Sequence, residues 1–207
     1  MSTSGREPLI AGHPALDFTN SVGWHAGANQ EEHFHSYGDL LDWAGDAKVL
    51  TPQHLASLGR KAAAQPAAAR AALRRAIAIR EVIYRVFSAV ARGRTPARDD
   101  LERLHAGRIE ALRHATIQWS GALANTFAKC DDLLAPVYPV VLAAVELLQS
   151  DELARVRQCA NDPCGWLFVD RSRNGSRRWC SSSDCGNESR VRRFRARSRR
   201  QAPGAER

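Results

Sequence analysis

Cys159-Ala160-Asn161-Asp162-Pro163-Cys164 and, fifteen residues later, Cys180-Ser181-Ser182-Ser183-Asp184-Cys185 form two C-x4-C pairs. A tetrahedral zinc ion needs four soft ligands converging on one point, and two short cysteine loops each deliver two thiolates without straining the backbone. Between the pairs, Trp166-Leu167-Phe168-Val169 has strand composition and Asn174-Gly175 marks a turn, so a hairpin returning through Arg177-Arg178-Trp179 is expected to join the halves. Two disulfides could use the same cysteines. Against them, no secretory signal precedes the pairs, Cys130 is left over as a fifth, and thiols inside cells stay reduced.

Beyond Cys185 the chain reads Gly-Asn-Glu-Ser-Arg-Val-Arg-Arg-Phe-Arg-Ala-Arg-Ser-Arg-Arg, a helix in which Val191 and Phe194 are spaced to face the hairpin. Residues 171–200 hold eleven arginines against Asp184 and Glu188, more positive charge than the +8 of the whole chain. Four thiolates on one Zn²⁺ leave the cluster about two charges negative, which the guanidiniums more than offset. Such a surface attracts polyphosphate. A run of this kind can be a merely solvated face, but here the arginines are interleaved with Trp179, Val191 and Phe194 on a metal-pinned module, the pattern of a nucleic-acid binder. Arg177, Arg178, Arg190, Arg192, Arg193, Arg195 and Arg197 are the candidate contacts. The chain has 27 Arg and three Lys, which favours planar, bidentate contacts to phosphate and guanine.

The stretches Cys164-Gly165-Trp166-Leu167-Phe168-Val169-Asp170-Arg171-Ser172-Arg173-Asn174, Arg178-Trp179-Cys180 and Cys185-Gly186-Asn187 resemble the CGNR zinc-finger family, bacterial proteins regarded as stress-induced transcription regulators. Upstream, Leu16-Asp17-Phe18-Thr19-Asn20-Ser21 and Tyr37-Gly38-Asp39-Leu40-Leu41-Asp42-Trp43-Ala44 resemble the opening and first helix of that family's amino-terminal ABATE domain. The resemblance implies a treble-clef-like finger and nucleic-acid binding. One position departs from it, because Glu188 stands where the name-giving motif has arginine.

At 207 residues and 44% hydrophobic, the chain can bury one sizeable core and carry a small second module. The expected fold class is α+β: a mainly helical amino-terminal domain with a small β-hairpin (1–150), a treble-clef-like four-cysteine zinc finger with its Arg-rich helix (151–200), and a disordered tail (201–207). No glycine-rich tether separates finger from helices, so the two are expected to be docked. The longest apolar stretch, Val137 to Leu148, is short and contains Glu146, so no membrane span is expected. Reduced thiols then place the protein in the cytoplasm, at the nucleoid if it binds DNA.

Within 1–150, residues 8–24 mix Pro and Gly with apolar residues and read as irregular or extended chain. Asp17 and Asn20 are candidates for helix caps, or with Phe18 for a small ligand pocket. His33 and His35 have no cysteine or carboxylate at ligand spacing and read as loop. Helices are expected over 37–47, from Thr51-Pro52 to about Ala64, and from Pro66 to Gly93. The arginines of the last, Arg80 among them, read as a solvated face. Thr95-Pro96 opens a helix with Leu101, Leu104 and His105 inward, and 112–128 suit a hairpin turning at Ser120-Gly121. Asp131-Asp132 start an apolar helix to about Gln149, kinked at Pro139, and Cys130 reads as a buried small residue.

No phosphate loop, H-E-x-x-H, G-x-S-x-G or paired-carboxylate motif occurs, and four cysteines would close the coordination sphere that a catalytic zinc keeps open. The expectation is therefore a regulator and not an enzyme, with one structural zinc and duplex DNA as partner, and a small-molecule or protein effector at the helical domain. A zinc-stabilised protein-interaction adapter and an RNA-binding protein are the alternatives.

Overall fold

The computed structural model describes residues 8–119 and 121–201, and within the last helix the side chains of 185–195 and 197. The expected tail beyond Gln201 lies outside the described residues.

The first helix, α1 (Pro14–Thr19), corrects the expectation of irregular chain over 8–24. Pro14 sets the first helical φ and needs no N–H, while His13 Nδ1 accepts from the amide of Ala15 at 3.3 Å. Six residues of weak propensity hold as a helix because Ala15, Leu16 and Phe18 are fully buried. The strands β1 (Val22–Gly23) and β2 (Glu31–Glu32) form a minimal antiparallel pair. Next come α2 (Tyr37–Asp46), closed by a Ser36/Asp39 capping box, α3 (Pro52–Ala64), capped by Thr51, and α4 (Pro66–Ala91), the longest element. These begin and end where caps, prolines and Gly93 predict.

α5 (Arg98–His114) starts later than Thr95-Pro96 suggests and has no side-chain cap. It buries Leu104 and Ala111, but Leu101 and His105 lie on its solvent side, contrary to expectation. The strands β3 (Thr116–Trp119) and β4 (Leu123–Thr126) form the expected hairpin. The following helix, α6 (Tyr138–Gln149), begins six residues beyond Asp132. Residues 133–137 form turns instead, and Asp132 Oδ1 accepts from the amide of Leu134 at 2.7 Å. Pro139 explains the shift: lacking an N–H, it sits without a kink only in a first turn.

α1 lies against α4 and α6, its Phe18 ring 4.9 Å from Trp43 and 5.9 Å from Phe34. Arg80, expected on a solvated face, is buried instead. Its guanidinium meets Glu32 at 2.6 and 2.7 Å and Glu81 at 2.9 Å, which is what makes burying the charge tolerable. Among the described residues, no helix is long and apolar enough to cross a membrane.

A 3-10 turn (Asp151–Arg155) leads into β5 (Val156–Gln158), which pairs antiparallel with β6 (Leu167–Val169); α7 (Cys185–Gln201) ends the described chain. The hairpin at the finger is thus β5–β6 and not the expected return through 177–179. Asp170 accounts for the difference: its Oδ2 accepts from the Arg177 amide at 3.0 Å and its Oδ1 from Ser172, folding 170–177 into a closed loop around the Asn-Gly turn. The other edge of β6 is covered by the amino-terminal chain, where the amide of Val169 donates to the carbonyl of Ala11 at 2.8 Å.

Candidate metal centre and basic helix

The first cysteine pair occupies the loop that joins β5 to β6. Cys159 donates its amide to Trp166 O at 2.8 Å, extending the ladder by one bond, and the Cys164 amide donates to Asn161 O at 2.8 Å, closing the knuckle. Gly165 follows at φ 74°, and a Cβ there would fall 2.5 Å from the Ala26 amide, so only glycine lets this knuckle approach the body. The second pair brackets a serine turn that caps α7. Ser181 Oγ donates to Asp184 Oδ2 at 2.6 Å and accepts from the Asp184 amide, and Cys185 is the first residue of the helix. The halves are joined by the amide of Ala160 donating to Arg178 O at 2.9 Å. A knuckle in a hairpin and a second pair at a helix start give the treble-clef-like arrangement.

All four Sγ atoms lie within 4.8 Å of one another and all four cysteines are buried. Cys164 and Cys180 are 3.7 Å apart and Cys180 and Cys185 3.5 Å, close to the edge of about 3.8 Å that four ligands at about 2.3 Å define around a tetrahedral ion. These separations are far beyond a disulfide bond, and all five cysteines are free. Left to themselves the thiols share protons unevenly. Hydrogen bonds from Cys164 and Cys180 draw Cys159 well below the usual thiol range, the neighbouring Cys159 pushes Cys164 and Cys180 up, and burial pushes Cys185 up. A divalent cation removes that conflict and fixes all four as thiolates. The donor set and spacing fit one structural zinc, which would supply folding energy and, with its sphere closed, no site for substrate. Cys130, buried in the body, is not part of the cluster.

The arginines around this centre divide into two groups. Arg177 is turned inward: its guanidinium lies 4.2 Å over the Phe168 ring and donates to the carbonyls of Trp179, Cys180 and Ile10. Arg192 binds the first knuckle through Asn161 Oδ1 and Asp162 O, and pairs with Glu188 at 3.2 Å. Arg190 donates to Ser182 O at 3.2 Å and stays exposed. Arg178 is exposed, 5.3 Å over the Trp179 ring. Arg193, Arg195 and Arg197 are exposed and meet no acidic partner among the described residues. Val191 and Phe194 were expected to face the hairpin, but they are 40% and 71% exposed. The helix turns its other side, with Cys185 and Gly186, to the metal centre, and Trp179 crowds Gly186 so closely that a Cβ would lie 3.1 Å from its ring.

Three residues that the sequence did not single out hold the site in place. Asn161 is buried and donates to Glu188 Oε2 at 2.7 Å, so Glu188 straps the first knuckle to α7. Asp170 organises the loop. Trp166 donates its indole N–H to Val22 O at 2.8 Å, tying finger to body. The spacing of Cys159 and Cys164 marked the loop that holds Asn161, but nothing in it foretold the partner of that side chain.

Of the candidate pocket residues, Phe18 is core and is not among those that line the cavity beside Asp17 and Asn20. Asp17 and Asn20 border a cavity of about 80 Å³ together with Phe34, Asp39 and Trp43. Neither residue is an N-cap. Asp17 Oδ1 accepts from the Ala11 amide at 2.9 Å, and burial pushes its carboxyl up to about 6 against that bond and the charge of Arg177. Asn20 is enclosed, its amide bonded to the backbone of β6.

Comparison with known proteins agrees with this arrangement. The family model described as "Putative stress-induced transcription regulator" (ABATE) matches residues 12–151, and the CGNR zinc finger matches residues 155–198. No curated protein matches the chain. Because the ABATE match covers well over half of the sequence, the chain belongs to the ABATE family, and a CGNR zinc finger follows that domain in order.

Proposed function

We propose that the protein is a transcription regulator that grips duplex DNA with α7 and the loop before it, while its helical part responds to an effector. The observation that carries this reading is the state of the arginines. Arg190, Arg193 and Arg197 recur at i, i+3 and i+7 on one exposed face of a helix whose first residue is a metal ligand. Arg178 and Arg195 add to the same basic surface. A helix fixed at its amino end by zinc and lined with exposed guanidiniums suits phosphate positioning, with base readout left to few of them. Arg177 and Arg192 serve the reading indirectly, by holding the loop and knuckle that aim the helix.

A small effector would enter the cavity beside Asp17 and Asn20, where Asp39 and Trp43 also face it. The protein would then act in the cytoplasm at the nucleoid. A second reading, recognition of single-stranded RNA, is favoured by Phe194. A ring 71% exposed among arginines can stack on an unpaired base.

The test is binding of zinc-loaded full chain to random duplex DNA, single-stranded DNA and structured RNA across a salt series, beside chelator-treated protein. Duplex binding that needs zinc and weakens steeply with salt supports the regulator, and Arg193→Ala with Arg197→Ala should flatten the salt slope by about two units. Preference for single strands that Phe194→Ala abolishes supports the second reading. Absence of binding to any nucleic acid, with one zinc per chain verified, would leave a protein-interaction adapter.

A further inference from the structure

One side of the helical body carries an apolar surface that the described residues leave uncovered. α5 buries Leu104 and Ala111, yet Leu101, Ile109 and Leu112 are 41%, 41% and 44% exposed on a neighbouring flank, about a third of the way round the helix. Their spacing of eight and three residues, with His105 between the first two, makes a straight stripe along the helix. A helix whose apolar arc extends past the face it buries has room for a second neighbour.

In the chain, α5 is followed directly by the β3–β4 hairpin. Ile117 pairs with Asn125 and Trp119 with Leu123, so Ile117, Trp119 and Leu123 share one face of the ribbon. They are 75%, 71% and 70% exposed. The sheet has only these two strands, and both outer edges are unpaired among the described residues. A two-stranded ribbon of this kind is marginal alone in water, and a free edge beside an apolar face invites association.

We propose that this surface is the dimer interface of the protein, with a second copy of the chain as its occupant, the two α5 helices packing antiparallel about a two-fold axis near Gly107. The arrangement of α5 is self-complementary under that operation. Leu101 of one copy falls opposite Leu112 of the other, His105 opposite Ile109, and Glu102 opposite Arg113, which lies on the same flank of the stripe. Glu102, which pairs with Arg98 of its own helix at 2.7 Å, thus gains a second cation from the partner at each end of the contact. The hairpins extend the contact beyond the helix ends. The six apolar side chains offer on the order of 500 Å² per copy, and with their polar surround this approaches the roughly 800 Å² per partner of a standard stable interface. Nothing in this surface belongs to the zinc centre or to α7, so a dimer leaves both arginine helices free.

Sedimentation equilibrium of the zinc-loaded full chain across micromolar concentrations tests the proposal. The expected mass is twice the 22.8 kDa of one chain. Trp119→Glu and Leu112→Glu should each weaken dimerisation at least about tenfold, while Gln118→Glu, on the opposite face of the ribbon, should not. Glu102→Arg should weaken it too, and adding Arg113→Glu should restore it. All of these side chains are solvent-exposed in the single chain, so far-UV circular dichroism and zinc content should stay unchanged. Hydrogen exchange over 116–126 in unmodified protein gives a readout free of variants and should slow with concentration. A monomeric unmodified chain, or a dimer that survives both Trp119→Glu and Leu112→Glu, would overturn the proposal and leave the face to a different partner.

Discussion

Asn20 holds Leu167, 147 residues further along the chain, by both of its backbone groups. Its Nδ2 donates to Leu167 O and its Oδ1 accepts from the Leu167 amide, both at 2.9 Å. A primary amide offers one donor and one acceptor side by side, so here it substitutes for the missing neighbour strand on the outer edge of β6. Asn20→Ala strands two buried backbone groups and should cost about 2–4 kcal/mol. Asn20→Asp keeps the acceptor but sets a carboxylate oxygen against the Leu167 carbonyl in an enclosed site, and should cost at least as much. Thermal melts followed at the Trp166 and Trp179 indoles should show the finger loosening at lower temperature in both variants. An unchanged midpoint for Asn20→Ala would deny the clamp its role.

Metal removal has a local and a global consequence. The hairpin buries Val156, Leu167, Phe168 and Val169, but the second cysteine pair, its serine turn and the first turn of α7 add little apolar core beyond the cysteines themselves. Zinc binding should therefore supply much of the finger's folding energy, on the order of 10 kcal/mol in small zinc modules. Stripping the ion, or Cys185→Ser, should unravel α7 and expose Trp179, while the body from α1 to α6 keeps its helicity. Cys130→Ser should leave one zinc per chain. Cobalt substitution checks the ligand set, since four thiolates give a tetrahedral spectrum that Cys185→Ser must alter and Cys130→Ser must not.

How far these features can be read from the sequence depends on the range of the interaction behind each. The starts of α3 and α4 at Thr51-Pro52 and Pro66, and the cysteine spacing, are decided within a few residues, and there expectation and structure coincide. Arg80 looked solvated because its neutralising partner Glu32 lies 48 residues away, beyond any local pattern. The bonds of Asn20 to Leu167 span 147 residues and escaped the sequence for the same reason. The helical period grouped Leu101 and His105 with Leu104, of which Leu104 alone is buried, and it correctly grouped Val191 with Phe194. It could not say where the body ends and the solvent begins, and Leu101, His105, Val191 and Phe194 all lie on the solvent side.

Asp17 makes stability depend on pH in the direction opposite to an ordinary carboxylate. Burial pushes its folded-state pKa from 3.8 up to about 6, so between those values the folded chain keeps a proton that the unfolded chain has released. This group's contribution is therefore most favourable below its unfolded pKa and declines as pH rises through about 6. The shift of about two units corresponds to ~3 kcal/mol at full strength, and partial solvation brings it nearer to about 1–2 kcal/mol. Asp17→Asn retains an acceptor for the Ala11 amide and carries no charge to bury. It should raise the melting midpoint at about pH 7.5 and raise it less at about pH 5. Taking the difference between variant and parent at each pH cancels the titration of the zinc thiolates. An equal gain at both values would assign the effect to packing instead.

Glu188 exchanges charge for stability at the place where the family motif carries arginine. Its two oxygens accept from Asn161 and Arg192, and its acid sits in the first turn of α7, where a negative charge is favoured by the helix dipole. Glu188→Arg removes both bonds, leaves buried Asn161 with an unsatisfied donor and sets a cation at the positive end of the helix. The finger should lose about 1–2 kcal/mol of stability while keeping its zinc. Binding should move the other way. The surface becomes more positive by the loss of an acid and the gain of a base, and Arg192 is released from its acidic partner. Affinity for duplex DNA at low salt should therefore rise and the salt slope steepen by about one to two units. Fluorescence anisotropy at several salt concentrations reads both numbers. A slope that stays the same would mean that the first two turns of α7 do not approach phosphate, and would shift the contact to Arg193, Arg195 and Arg197 alone.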